Sequence, residues 1–176
     1  MATLLLVLVV GVELGLLAGV ALSVALFIRN SSQPNITQVG RLGESEQFRS
    51  VKRYPVNLHE QILALRIDEN IFFANAVQIE EKLLRRVLGR HGTKHLLLVC
   101  NAVNHIDATG LSMLLRVNQQ LQTSGVQLHF SDIKGPLMQQ LDQTELARGI
   151  SGEIFFNADQ AFKSLTGDST AAHANP

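Results

Sequence analysis

The chain has 176 residues, and its 15 Lys+Arg offset its 15 Asp+Glu to a formal charge of +0, so it has no overall basic character to recommend a nucleic-acid partner, which wants a clustered basic face. Cys100 is the only cysteine, which excludes an intrachain disulfide and a cysteine-rich zinc site. Charged residues make up 17%, below the quarter typical of soluble domains. The apolar surplus is concentrated at the start of the chain, which points to one domain of moderate size with an appendage.

Residues 4–28 are almost wholly apolar. About 25 residues of helix at 1.5 Å each reach about 37 Å, enough to cross a bilayer with some tilt. A secretory signal peptide is the competing reading, but it opens with a basic region and has a shorter apolar stretch, whereas no Lys or Arg precedes Arg29. Arg29, Arg41, Arg49, Lys52 and Arg53 follow the segment, an asymmetry that predicts a cytoplasmic C-terminal side. Gly11, Gly15, Gly19 and Ser23 recur every four residues as a ribbon of small side chains, which lets another helix approach closely. Glu13 falls on a different face, where a carboxyl group needs protein or a polar cavity beside it. Both demands suit a helix inside a bundle. Chance spacing of small residues and a protonated, tolerated Glu13 form the blander alternative.

Asn30-Ser31-Ser32-Gln33-Pro34-Asn35 breaks the helix. Residues 30–58 read as a mostly irregular connector with a short strand near 51–56. Residues 59–167 then alternate between strand and helix patterns. Leu63, Leu65 and Ile67 share one face of a strand, and the apolar run Ile71-Phe72-Phe73 reads as a second, short strand. Ala76, Ile79, Leu83 and Val87 recur at helical spacing, ended by Gly89 and Gly92. Leu96-Leu97-Leu98-Val99 is apolar on both faces, as a central strand covered by helices would be. Cys100 at its end reads as a small buried hydrophobe. Leu111, Leu114, Leu115 and Leu121 mark the next helix, closed by Ser124-Gly125. Val126, Leu128 and Phe130 alternate with Gln127, His129 and Ser131, which predicts a half-buried strand. Lys134-Gly135-Pro136 opens a short helix, Ile154-Phe155-Phe156 is a brief apolar run, and Ala161, Phe162 and Leu165 sit on a last helix. Gly167 onward is small and polar, so residues 168–176 read as a disordered tail. The expected fold is α/β: a membrane helix over residues 1–29, then a mixed, partly parallel sheet flanked by helices.

The most informative run is Asn104-His105-Ile106-Asp107-Ala108-Thr109-Gly110-Leu111, between the apolar strand and an amphipathic helix. An Asp, a hydroxyl residue and a Gly there build a helix N-terminus, whose free N–H groups hold an anion and whose hydroxyl is a site for phosphate. His105-Ile106-Asp107-Ala108-Thr109-Gly110-Leu111 resembles the signature of the STAS domain, the module shared by anti-sigma-factor antagonists and the tails of sulfate permeases. Glu13-Leu14-Gly15, Gly40-Arg41-Leu42, Val51-Lys52-Arg53-Tyr54-Pro55, Phe73-Ala74-Asn75-Ala76 and Lys134-Gly135-Pro136 resemble, in order, further segments of the SulP family of anion permeases.

That resemblance implies a secondary transporter for sulfate and related anions, with a STAS domain on the cytosolic side of the cell membrane and a dimer as the assembly. It also implies that this chain begins inside the last membrane region and lacks the helices that hold the anion, as a fragment or one half of a split permease would. The compact turn at residues 90–94 looks bacterial. In stand-alone antagonists the second hydroxyl of Asp-Ser-Ser-Gly is the phosphorylation site, which maps onto Thr109; the first hydroxyl is replaced by Ala108. Asp107 or Thr109 acting simply as a helix cap is the favoured alternative.

No enzyme is expected. His59, His91, His95, His105, His129 and His173 are scattered, and no nucleophile elbow, phosphate loop or dinucleotide fingerprint occurs. No metal and no cofactor are expected. The partners expected are membrane lipid, the missing permease membrane domain, a second copy, and a cytosolic protein that binds the STAS domain. Two functions follow: the tail of an anion permease that positions or regulates the membrane bundle, or a membrane-tethered interaction module switched at Thr109.

Overall fold

A computed structural model describes residues 12–167; Gly11 and the tail at 168–176 lie outside them. The chain divides into two compact units, residues 1–33 and 34–176. In the first, α1 spans Val12–Ser31, and its stretch Val12–Arg29 is long and apolar enough to cross a membrane. Leu14, Leu16, Leu17, Val20 and Phe27 stand exposed along it, as does Glu13.

The second unit is a three-layer α/β domain. Its elements are β1 (Ile36–Arg41), β2 (Phe48–Ser50), β3 (Ile62–Ile67), α2 (Ala76–Leu88), β4 (His95–Val99), α3 (Ala108–Thr123), β5 (Gln127–Ser131), α4 (Gly135–Asp142), α5 (Glu145–Gly149), β6 (Ile154–Phe155) and α6 (Ala158–Thr166). The sheet order is β2-β1-β3-β4-β5-β6. β1 pairs antiparallel with β2 and β3, and β3 through β6 run parallel. The three parallel pairs need crossovers, which α2, α3 and the α4–α5 pair supply in turn.

The strand alternation sorts the core into two layers. Leu63, Leu65, Ile67, Leu96, Leu98, Leu128 and Phe130 face one way, onto Ile79 and Leu83 of α2 and Met113, Leu114 and Val117 of α3. Ile62, Ala64, Leu97 and Val99 face the other, onto Phe155 and α6 through Ala158 and Ala161. Because both faces are covered, residues 96–99 of β4 are all apolar, as the sequence predicts.

Four expectations are corrected. Residues 30–58 are not an irregular connector: they supply β1 and β2. Ile36 and Val39 are buried, and β1 lies between β2 and β3. Gly40 permits a close approach, since a Cβ there would meet the Asn57 carbonyl oxygen at 2.7 Å. The strand expected at 51–56 is instead a turn, in which the amides of Arg53 and Tyr54 donate to the Ser50 carbonyl at 3.1 and 3.2 Å. The run Ile71-Phe72-Phe73 forms no strand, only a single parallel bridge from Ile71 to Ile106.

The fourth correction concerns β5, which is buried on both faces. His129 is 2% exposed and Ser131 0%. His129 is accommodated by hydrogen bonds: its Nδ1 accepts from the Glu153 amide at 3.0 Å, and its Nε2 lies 3.2 Å from His95 Nδ1. An Nδ1 that accepts leaves the neutral ring's proton on Nε2, which therefore donates to His95. Burial, then the neighbouring His95, lowers the His129 pKa to about 4. This is far below the ordinary 6.5, so the neutral ring's contribution is complete above pH 6.5 and is lost as the pH falls from there toward 4. We expect acidification through that window to lower the unfolding free energy of this domain by up to roughly 3 kcal/mol. Urea titrations followed by circular dichroism at pH 7.5 and 4.5 measure it, and His129→Gln should flatten the acid limb.

Candidate functional site

Every residue of the Asn104–Leu111 run lies where β4 hands over to α3, at the carboxyl end of the parallel strands. Asp107 is the N-cap of α3, with an extended backbone at φ −84° and ψ 176°. One carboxylate oxygen accepts from the Gly110 amide at 2.7 Å. The other accepts from the amide of Phe73, in the loop after β3, at 2.8 Å. Asp107 is thus a cap and a cross-link together, and both of its oxygens are engaged by backbone.

The two loops are tied further. The Ile71 amide donates to the His105 carbonyl and the Asp107 amide to the Ile71 carbonyl, each at 3.1 Å. The Asn70 side-chain oxygen accepts from the amides of Asn104 and His105 at 2.9 and 3.1 Å. Buried Asn75 donates to the Asn70 carbonyl at 2.8 Å and accepts from the Phe72 amide at 3.0 Å. Lys134 Nζ reaches the Asn104 side-chain oxygen at 2.5 Å, and Gln140 donates to the Ile106 carbonyl at 2.9 Å. Sequence reasoning missed this asparagine network because Asn70 and the amides of Asn104 and His105 lie more than thirty positions apart.

Gly110 is buried for a packing reason. A Cβ there would come within 2.9 Å of both the Ile106 and Ile71 methyl groups and 3.1 Å of the Ile71 carbonyl oxygen. Thr109, one position earlier in the first turn, is exposed. Phe73, 66% exposed, stacks edge-on against Phe72 and borders a shallow groove with Asn70, His105 and Asp107. The run therefore brings Asp107, Thr109 and Gly110 to one helix end. Cap, exposed hydroxyl and packing glycine are three different roles there. Gly15, Gly19 and Glu13 lie on α1, in the other unit. Cys100 is 1% exposed, and burial pushes its thiol up to about 12, which suits an inert core residue.

A family model for the STAS domain matches residues 53–161. The chain belongs to the STAS domain family. It is 29% identical over 157 residues to sulfate transporter 4.1, chloroplastic, of Arabidopsis thaliana, covering 83% of this chain and 23% of that protein. It is 29% identical over 173 residues to high affinity sulfate transporter 2 of Stylosanthes hamata, covering 92% and 26%. These relatives agree with the resemblance to SulP sulfate permeases, and the chain spans about a quarter of their length. Both are plant proteins, so they lend no support to the bacterial character read from residues 90–94.

Among solved structures, the fold matches the murine Slc26a9 anion transporter in its inward-facing state at a TM-score of 0.79 and 14% identity, over 94% of this chain and 28% of that one. It also matches TM1081 of Thermotoga maritima, provisionally described as an anti-sigma factor antagonist, at a TM-score of 0.55 and 17% identity, over 64% and 93%.

The geometry ranks the STAS-signature residues by stability. We expect Asp107→Ala to cost about 2–3 kcal/mol, from the lost cap and the stranded Phe73 amide. Gly110→Ala should cost about 1–3 kcal/mol by overpacking, and Thr109→Ala less than about 0.5 kcal/mol. Equilibrium denaturation of the three variants gives the order directly.

Proposed function

We propose that this chain is the C-terminal part of a SulP-type secondary anion transporter, with α1 crossing the cell membrane and the STAS domain on its cytosolic side. In this reading the domain positions or regulates a bundle of membrane helices that includes α1, with sulfate or a related anion as cargo. The domain carries out no reaction of its own. The supporting observation is the extent of the similarity. The family model stops at residue 53 on its N-terminal side, while the match to the Stylosanthes transporter takes in 92% of the chain, and so reaches well into the apolar segment. The small residues Gly15, Gly19 and Ser23 and the carboxyl of Glu13 give α1 a reason to pack in a bundle.

A second reading, a membrane-tethered module that binds a cytosolic protein, is favoured by one observation. Asp107 does the capping, which leaves the Thr109 hydroxyl exposed and without a hydrogen bond among the described residues. A phosphate on it would meet the positive end of α3, against repulsion from the Asp107 carboxylate.

Two measurements separate these readings. Co-expression with the membrane half of such a permease should raise labelled sulfate uptake severalfold over that half alone, and no gain would count against the transporter reading. Mass spectrometry of protein from its native host should find Thr109 unmodified; stoichiometric phosphate there would favour the module instead.

A further inference from the structure

Arg49, Lys52, Arg53 and Tyr54 are all exposed and, with Asn35, line one open polar cradle. The fold puts them together. β2 runs back along β1 with Ser50 opposite Val39, and the Val51 amide then donates to the Gln38 carbonyl at 3.1 Å. The turn that follows therefore lies at the end of the sheet where β1 starts. The carboxylate in the cradle, Asp68, is already satisfied: Arg66 Nε donates to one oxygen at 2.5 Å and the Asn35 amide to the other at 3.1 Å. Arg49 donates only to the Gln47 side-chain oxygen, at 2.9 Å. Among the described residues none of Arg49, Lys52 and Arg53 has an acidic partner. The acids of the same hairpin, Glu44 and Glu46, belong to its opposite turn.

A chain of zero net charge thus gathers three uncompensated cations on β2 and the turn that follows it. β1 begins at Ile36, five residues beyond the end of α1 at Ser31, and five residues reach at most about 18 Å. With α1 in a bilayer, the strand beside the cradle is tethered close to the lipid surface. Exposed side chains in water hold a single free anion weakly. An acidic bilayer presents many phosphates at once, and each nearby Lys or Arg then strengthens binding roughly fivefold.

We infer that the Arg49–Lys52–Arg53 cradle docks on the anionic headgroups of the membrane that α1 enters, with Tyr54 at the headgroup level. This rests on the membrane reading of α1 proposed above. Phospholipid phosphates are the ligand, and Tyr is a residue that favours that interface.

Tyr54 is the only tyrosine and the chain has no tryptophan, so intrinsic tyrosine emission reports on the cradle alone. The test uses the full chain reconstituted in phosphatidylcholine vesicles, with and without about one third phosphatidylserine, and measures acrylamide quenching of Tyr54. Quenching at about 0.1 M salt should be at least twofold weaker on the acidic vesicles. The protection should vanish at about 1 M salt, where the screening length falls to about 3 Å, and in the Arg49→Gln/Lys52→Gln/Arg53→Gln variant. Equal quenching on the two surfaces overturns the inference, and so does equal protection by millimolar inorganic phosphate on neutral vesicles, which would make the ligand a free anion. A chain that fails to float with neutral vesicles at all refutes the membrane reading itself, and that result is seen before any quenching is measured.

Discussion

One carboxylate organises the end of the sheet on which the STAS signature lies. Asp107 accepts the Gly110 amide, which starts α3, and the Phe73 amide, which fixes the loop leading into α2. A single side chain thereby joins the start of α3 to the loop that leads into α2. The Ile71–Ile106 bridge and the Asn70 contacts keep the loops at the separation that this double bond requires, and Gly110 is what lets Ile71 and Ile106 pack beneath the first turn. The place of Thr109 is a consequence. It is held outward on a rigid turn, beside a carboxylate that already uses a free N–H group of the helix. An added phosphate there would share that helix end with an existing negative charge.

The parts of the fold legible in the sequence are those where burial is uniform along an element. Leu96 to Val99 is apolar because helices cover both faces of β4, and Ala76, Ile79, Leu83 and Val87 repeat because one face of α2 is covered. What escaped was burial of polar groups and pairing without a strong apolar pattern. β1 carries only Ile36 and Val39 as large apolar residues, so its place inside the sheet follows from pairing on both sides and not from composition. β5 reads as half-buried because His129 and Ser131 are polar, yet both are in the core. The His129 ring is tolerated there because a backbone amide and a second histidine satisfy its two nitrogens, a condition set by residues 34 and 24 positions away.

The site shows the same division. Its location could be read from Asp107, Thr109 and Gly110, since a strand, an N-cap and a helix were all visible in the sequence. The capping role was legible too, shared between Asp107 and Thr109 as candidates, but the other roles were not. A glycine at a helix start suggests room for an anion, but here the room is taken by two isoleucine methyl groups. An aspartate beside a histidine suggests exchangeable protons, but here both carboxylate oxygens are spent on backbone. Distant partners, Phe73 and Asn70 above all, decide what each signature residue does.

The corrected course of residues 36–50 bears most directly on how a domain of this kind acts on what precedes it. An irregular connector would let the domain wander. A strand within the sheet cannot, because β1 is bonded to β2 and β3 along its length. Its entry is held as well: the Asp68 amide donates to the Asn35 carbonyl at 3.1 Å, Lys82 Nζ to the Pro34 carbonyl at 2.7 Å and Arg86 to the Ile36 carbonyl at 2.7 Å. Residue 34 is therefore held to the domain, with Lys82 of α2 on its carbonyl and Arg86 of α2 on that of Ile36. A displacement of the chain at Pro34 must move β1 and α2 together or break charge-assisted hydrogen bonds, each worth about 1.5–3 kcal/mol. The covalent link from the end of α1 at Ser31 to the anchored carbonyl of Pro34 is thus only a few residues long.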